Sequence, residues 1–193
     1  MCGRYTMKTV GENELVSRIL TQAGFDGPLE DIRPTDAAPI ITFSDGKIRA
    51  KFAYWGLPSP DDHSKPVINS RSETAEGKRF FREALHERRC IIPATGFYEW
   101  SRETKLKYLF NGADNEIIYM AGAYNEYGAI KKFVIFTRDA DDDIKDIHNR
   151  MPVLIPKEHV REYLCEFSFY EKAFIAAPER IRRTLVSSDD KIV

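Results

Sequence analysis

A hairpin is written into residues 39–56, PIITFSDGKIRAKFAYWG, and it excludes an all-helical chain. Ser44-Asp45-Gly46 supplies the turn. The run after it alternates strictly, with Ile48, Ala50, Phe52 and Tyr54 on one face and Lys47, Arg49 and Lys51 on the other. A period of two belongs to a strand with two unlike faces. RCIIP, GFYEWSR, KYLF, EIIYMAGAY and KKFVIFT continue as short strands, separated by turn residues such as NGADN. No helical segment falls regularly between them, so the βαβ rhythm of a parallel sheet is absent. The pattern predicts an α+β fold: one domain over residues 1–193, built on a curved, mostly antiparallel, barrel-like sheet flanked by a few helices.

Three segments read as helices. GENELVSRILTQAG sets Leu15, Val16, Ile19 and Leu20 on one stripe, with Gly24 as a stop. SETAEGKRFFREALHERR opens on a serine cap and carries Phe80, Phe81, Ala84 and Leu85 inward. KEHVREYLCE is a late helix, LPSPDDHSKP a loop, Asp139 to Asp143 a solvated acidic turn, and RRTLV a last strand.

At 193 residues the chain can bury a substantial core. Lys plus Arg number 29 against 30 Asp plus Glu, so the net charge of -1 announces no polyanion partner. A local basic groove can still sit inside a neutral total. The three cysteines form no CxxC pair, and the four histidines lack ligand spacing to one another or to the cysteines. That argues for a reducing compartment, with no metal and no cofactor. No apolar stretch reaches transmembrane length and no secretory leader is present, so the chain is expected in the cytoplasm.

Four stretches carry polar groups where strands should bury apolar ones. The first is MCGRY. Residue 2 is a small side chain, so an aminopeptidase is expected to remove Met1 and leave Cys2 as the terminus. A terminal cysteine holds an amine and a thiol on neighbouring carbons, able to act as base and nucleophile in one residue or to close a five-membered ring on an aldehyde. The others are VINSRSET with Asn69, Arg71 and Glu73, PATGFYEW with Glu99 among three aromatics, and IHNRMPVLIP with His148 and Arg150. Each has a plainer reading: a chance cysteine, Asn69 or Ser70 as a helix cap, Glu99 on a solvent face, His148 on the surface. Against the plain reading of Glu99, a carboxylate among aromatics is readily desolvated and pushed toward acid–base use.

MCGRY, WGL, NSRSET, RCIIPATGFYEW and IHNRMPVLI, in this order, resemble the SOS response-associated peptidase family over essentially the whole chain. The resemblance implies an abasic-site sensor that binds single-stranded DNA and single-strand/duplex junctions, and that links itself to abasic sites through its terminal cysteine as a thiazolidine. Met1 removal or autoproteolysis would expose that cysteine. By the same match Cys2 is the catalytic cysteine, Asn69 positions it, Glu99 is the catalytic carboxylate and His148 the active-site histidine. Arg4, Arg71 and Arg150 fall on phosphate-holding arginines, and Trp55, Phe97 or Trp100 can offer stacking surfaces. A monomer without metal or membrane is implied. The competing readings are an N-terminal-nucleophile thiol peptidase or amidase and a non-catalytic single-strand binder. The chain departs from the pattern in GLPSPDDHSK after Trp55, in KLKYLF where a Pro-Tyr pair is common, and in DIRP, where Asp31 replaces the usual asparagine.

Overall fold

In the computed structural model, which describes residues 2–8, 14–62, 64–113, 116–176 and 181–186, the strands predicted from the sequence pair mostly antiparallel in an α+β domain. The elements run β1 (Tyr5–Met7), α1 (Glu14–Gln22), β2 (Leu29–Ile32), β3 (Ala37–Ser44), β4 (Lys47–Trp55), β5 (Leu57–Pro58), β6 (Pro66–Val67), β7 (Asn69–Arg71), α2 (Ser72–Ala75), α3 (Arg79–Glu87), β8 (Arg89–Ala94), β9 (Gly96–Trp100) and β10 (Lys107–Gly112). They continue through β11 (Ile118–Tyr127), β12 (Ile130–Asp139), β13 (Arg150–Pro152), a 3₁₀ turn at Lys157–His159, α4 (Val160–Cys165), α5 (Phe169–Ile175) and β14 (Ile181–Leu185).

The larger sheet closes on itself. Its order is β11-β8-β3-β4-β12, and β12 pairs back onto β11, which makes the expected barrel. Closure removes the exposed edges that an open sheet would leave. Gly122 on β11 lets the strands approach: a side chain there would lie 2.3 Å from the Ile92 side chain and 2.5 Å from the Val134 carbonyl. Beyond the barrel, β12 runs on to pair with β7 and β13. A second sheet, β14-β10-β9-β1-β2, lies beside it.

The β3–β4 hairpin forms in the expected register, but its core face differs from the one the alternation suggests. Ala53 and Trp55, on the face shared with the lysines, are fully buried, whereas Phe52 is 51% and Tyr54 38% exposed. Trp55 pairs with Phe133 across β4 and β12, and their rings stack 6.3 Å apart. Burying a side chain of this size contributes about 1.5–3 kcal/mol. Of the predicted apolar face, Ala50 is buried, and its N–H donates to Gln22 of α1 at 2.8 Å.

The helix expected over residues 72–89 is broken at Gly77 into α2 and α3 and ends at Glu87, with Arg89 opening β8. Arg71 occupies the N-cap of α2 without a side-chain bond, so neither Asn69 nor Ser70 caps it. The 57–66 loop folds back as a small β5–β6 hairpin. The stripe of α1 buries Val16, Ile19 and Leu20 and leaves Leu15 at the surface. Residues 11–13 of the predicted first helix and His63 lie outside the described residues.

Candidate active site

The two sheets meet where the chain begins. Residues 2–4 lead into β1 of the smaller sheet, whose neighbour β9 carries Glu99. From the barrel side comes β7, which starts with Asn69 and lies on β12. The loop before β13 carries His148 and Asn149, which share a pocket with Arg71 of β7 and with Arg102 in the turn after β9. The fold therefore gathers segments that lie far apart in sequence.

Asn69 Nδ2 donates to the Cys2 carbonyl at 2.7 Å, and Arg4 O accepts the Tyr98 N–H at 2.9 Å. These bonds fix the terminal segment between the sheets. Cys2 is fully buried. Burial first, then the nearby Glu99 charge, push its thiol far above the usual thiol range. The group is held as a thiol, not a thiolate.

Glu99 is 3% exposed. Its strand alternates, and Phe97 and Glu99 share the inward face while Trp100 points out at 37% exposure. Burial raises the Glu99 pKa to about 7, with the Arg102 charge among the influences lowering it. A carboxyl poised there can carry a proton at neutral pH and release it.

His148 has a different poise. His148 Nδ1 lies 3.0 Å from the Arg150 backbone nitrogen and 3.3 Å from the Arg150 carbonyl, so the backbone of residue 150 orients the ring. Burial lowers its pKa, and the Arg102 and Arg150 charges act in the same direction. The ring is thus neutral near pH 7.

The arginines divide. Arg71 is exposed and lines a pocket of about 150 Å³ with Arg102, Thr137, His148, Asn149 and Arg150. Arg4 lies 5.4 Å over the Trp100 ring, and its Nε pairs with Asp31 at 3.0 Å. Arg150, expected on a phosphate, has its guanidinium turned into the protein. It contacts Glu73 at 2.7 and 2.9 Å and Asp139 at 2.6 Å, with the side chain only 8% exposed. The first residue of the acidic run is therefore an ion-pair partner, not only a solvated turn. Those contacts hold Glu73 down at about 2.

Trp55 is corrected outright as a stacking surface. It is wholly buried, its Nε1–H donates to the Ile68 carbonyl at 2.9 Å, and Tyr5 and Phe133 pack on the ring. Phe97 is likewise a core residue, stacked on Phe110. Trp100 alone of the three expected aromatics is at the surface.

Comparison with known proteins places this arrangement. Residues 1–185 match the family described as SOS response associated peptidase (SRAP). The chain belongs to the SRAP family. Its SRAP relatives include the abasic site processing protein YoaM of Bacillus subtilis, 30% identical over 179 residues, covering 85% of this chain and 79% of that one. The abasic site processing protein YedK of Escherichia coli is 28% identical over 191 residues, covering 92% and 86%. A crystal structure of a Bacteroides thetaiotaomicron protein superposes with a TM-score of 0.72 at 26% identity, over 83% of this chain and 78% of that one. A Bordetella bronchiseptica protein has a TM-score of 0.77 at 23% identity over 96% and 100%, which speaks for the SRAP fold alone.

The sequence singles out neither Arg102 nor Asn149. The first stands in a polar turn, SRETK, three residues past Glu99, and the second lies inside the IHNRMPVLI motif with no role given to it beside His148 and Arg150. Only the tertiary structure joins them, with Arg102 Nη2 donating to Asn149 Oδ1 at 2.7 Å. A roomier groove of about 690 Å³ between α1 and β4 is lined by aliphatic and polar residues in about equal number, and Cys2 is not among them. Among the described residues no cluster suits a metal ion, and no helix is long and apolar enough to cross a membrane.

Proposed function

We propose that this chain processes abasic sites in single-stranded DNA by forming a thiazolidine between the sugar and its own terminal Cys2, after Met1 has been removed. The carrying observation is the clasp of Asn69 on the Cys2 carbonyl beside a buried carboxyl poised near neutrality. YoaM and YedK, named as abasic site processing proteins, support the substrate class.

Each step draws on a group with the required state. Protonated Glu99 gives its proton to the ring oxygen of the closed sugar, which opens to the aldehyde. The Cys2 α-amine, with a reference pKa of about 7.7–8.0, is partly neutral at that pH and attacks C1′. The proton shed by the anomeric hydroxyl on opening goes to the carbinolamine oxygen, which leaves as one water, and an iminium remains. The thiol sulfur adds to the same carbon, its proton returns to the Glu99 carboxylate, and the iminium nitrogen becomes the ring amine. The sum is aldehyde plus aminothiol giving thiazolidine plus water, with no redox change. His148, oriented by the backbone of Arg150, holds a sugar or phosphate oxygen in place. Trp100 offers a face for a neighbouring base, and Arg4 and Arg71 offer charge to the backbone.

The thiol peptidase reading needs a thiolate, and burial at Cys2 opposes one. Incubating the processed protein with single-stranded DNA bearing one abasic site decides between them. A denaturation-resistant adduct of one protein per strand, equal in mass to the open-sugar strand plus the protein less one water, supports the proposal. Hydrolysis of a peptide library without an adduct would replace it with the peptidase.

A further inference from the structure

The 150 Å³ pocket beside His148 collects more positive charge than the protein neutralises. Arg150 is spent on Glu73 and Asp139. Arg71 and Arg102 are different: among the described residues, no carboxylate lies within ion-pair distance of either guanidinium. Two like charges opening on one small concavity repel each other unless an anion lies between them.

Arg102 is also held in place. Its turn is fastened by the Thr104 N–H on Ser101 Oγ at 3.1 Å, the Lys105 N–H on Ser101 O at 3.0 Å and the Ser101 N–H on Leu106 O at 2.9 Å. Lys105 Nζ reaches the Arg102 carbonyl at 2.8 Å. At the other end Asn149 Oδ1 accepts from Nη2, which leaves the rest of the planar fork to face the pocket. A guanidinium fixed at both ends binds an oxyanion with little loss of side-chain freedom.

We infer that Arg102, oriented by Asn149, is a phosphate-binding residue that with Arg71 clasps one phosphodiester adjoining the reacting sugar. The inference rests on the abasic-site reading and adds a ligand contact to it. It also gives the clasped phosphate a chemical consequence. The Arg102 charge lowers the proton affinity of both Glu99 and His148. A phosphate seated on Arg102 offsets that charge, so DNA binding itself favours the protonated Glu99 that the ring opening consumes.

The test uses an oligonucleotide carrying a tetrahydrofuran in place of the abasic sugar, which binds but has no aldehyde. Single methylphosphonates are placed in turn at the linkages flanking it. With wild-type protein, one linkage is expected to weaken binding about 5-fold or more when its charge is removed. Arg102→Ala should bind the unmodified strand more weakly and lose part of its sensitivity to that linkage, because the two changes delete a shared contact while Arg71 keeps its own. Its salt slope should be shallower by about 0.7. Arg102→Lys should restore part of the affinity, and Arg49→Ala, a charge loss in the groove between α1 and β4, should keep the wild-type pattern. Equal affinity and slope for Arg102→Ala and wild type, or equal sensitivity of both to every methylphosphonate, overturns the inference. Failure of the wild-type protein to form an adduct with true abasic DNA would instead sink the abasic-site reading. The two results are separable.

Discussion

Asn69 and Cys2, 67 positions apart, are joined by a 2.7 Å hydrogen bond from the Asn69 amide to the Cys2 carbonyl. The bond ties the barrel strand β7 to the segment that leads into the other sheet, and it fixes the backbone on which both the terminal amine and the thiol are carried. A hydrogen bond of this kind contributes about 1 kcal/mol net, and about 1–3 kcal/mol when its loss strands a buried acceptor. Asn69→Ala should therefore slow adduct formation about 5- to 150-fold while single-strand affinity stays within about twofold. Time courses on denaturing gels at saturating DNA measure the first, and anisotropy the second. An unchanged rate would remove Asn69 from the positioning of Cys2.

Glu99 should give the reaction a falling alkaline limb. Its acid form declines as pH passes about 7, while the amine loses competence on the acid side. Glu99→Gln should abolish the alkaline limb and slow the adduct about 10²- to 10⁴-fold. Stability should move oppositely. The folded carboxyl keeps its proton to about 7, whereas 4.5 is its ordinary value, so the folded protein binds more protons in between and loses stability as pH rises through that window. The amide lacks this slope. Glu99→Gln should melt above wild type at pH 8 and close to it at pH 4; a lower Tm for the variant at pH 8 would contradict a desolvated Glu99.

Glu73 shows the reverse sign. Its folded pKa of about 2 lies below the ordinary 4.5, so the pairing with Arg150 is fully present above that value and is lost as pH falls toward 2. Glu73→Gln should destabilise by about 1–2 kcal/mol at pH 7, at the lower end for a charged hydrogen bond because Glu73 is 46% exposed. The difference from wild type should shrink between pH 4.5 and 2. Denaturant melts across that range check it, and a constant difference would show that the ion pair is not its source.

Much of the barrel was legible in the sequence because strand alternation and turn residues are local signals. The choice of core face in β4 was not. Alternation assigns Phe52 and Tyr54 to one side and Lys51 to the other, but which side is interior depends on where β12 joins and on how far α1 reaches, and those are tertiary facts. The candidates Cys2, Asn69, Glu99 and His148 were named from motifs; in the fold Asn69 bonds the Cys2 carbonyl and the Glu99 charge reaches the Cys2 thiol. The phosphate side was read less well. A motif marks Arg150 as basic but does not reveal that Glu73, two residues beyond Arg71, will neutralise it. Arg102 belongs to no motif, so only its bond to Asn149 exposes it.

Asp31 illustrates how a single departure can retune the groove. Its carboxylate accepts Arg4 Nε at 3.0 Å and Arg33 Nη2 at 2.6 Å, so it competes with a phosphate for Arg4. Asp31→Asn should release Arg4, tighten single-strand binding and steepen its salt slope by about 0.7. The half-exposed pair should cost the fold less than about 1 kcal/mol when removed. Anisotropy titrations at several salt concentrations decide it, and an unchanged slope would mean that Arg4 does not reach the backbone.

The terminal amine provides the sharpest test. A protein that retains Met1, or carries a tag before Cys2, should fold and bind single-stranded DNA, because Asn69 grips the Cys2 carbonyl and not its nitrogen. Its residue-2 nitrogen is an amide and cannot form an imine, so the stable adduct should fall below detection. Cys2→Ala differs in kind. Once Met1 is removed, its terminus still has an amine that can reach C1′ and form an imine, but no sulfur closes the ring. Reversible adduct, trapped only by borohydride, or strand cleavage by β-elimination should then appear in place of the thiazolidine. A thiol peptidase would invert the pattern, tolerating the extension while losing all activity on Cys2→Ala. Intact mass measurements of the processed, extended and Cys2→Ala proteins after incubation with abasic DNA separate these outcomes, and an adduct of normal yield on the extended protein would refute the aminothiol mechanism.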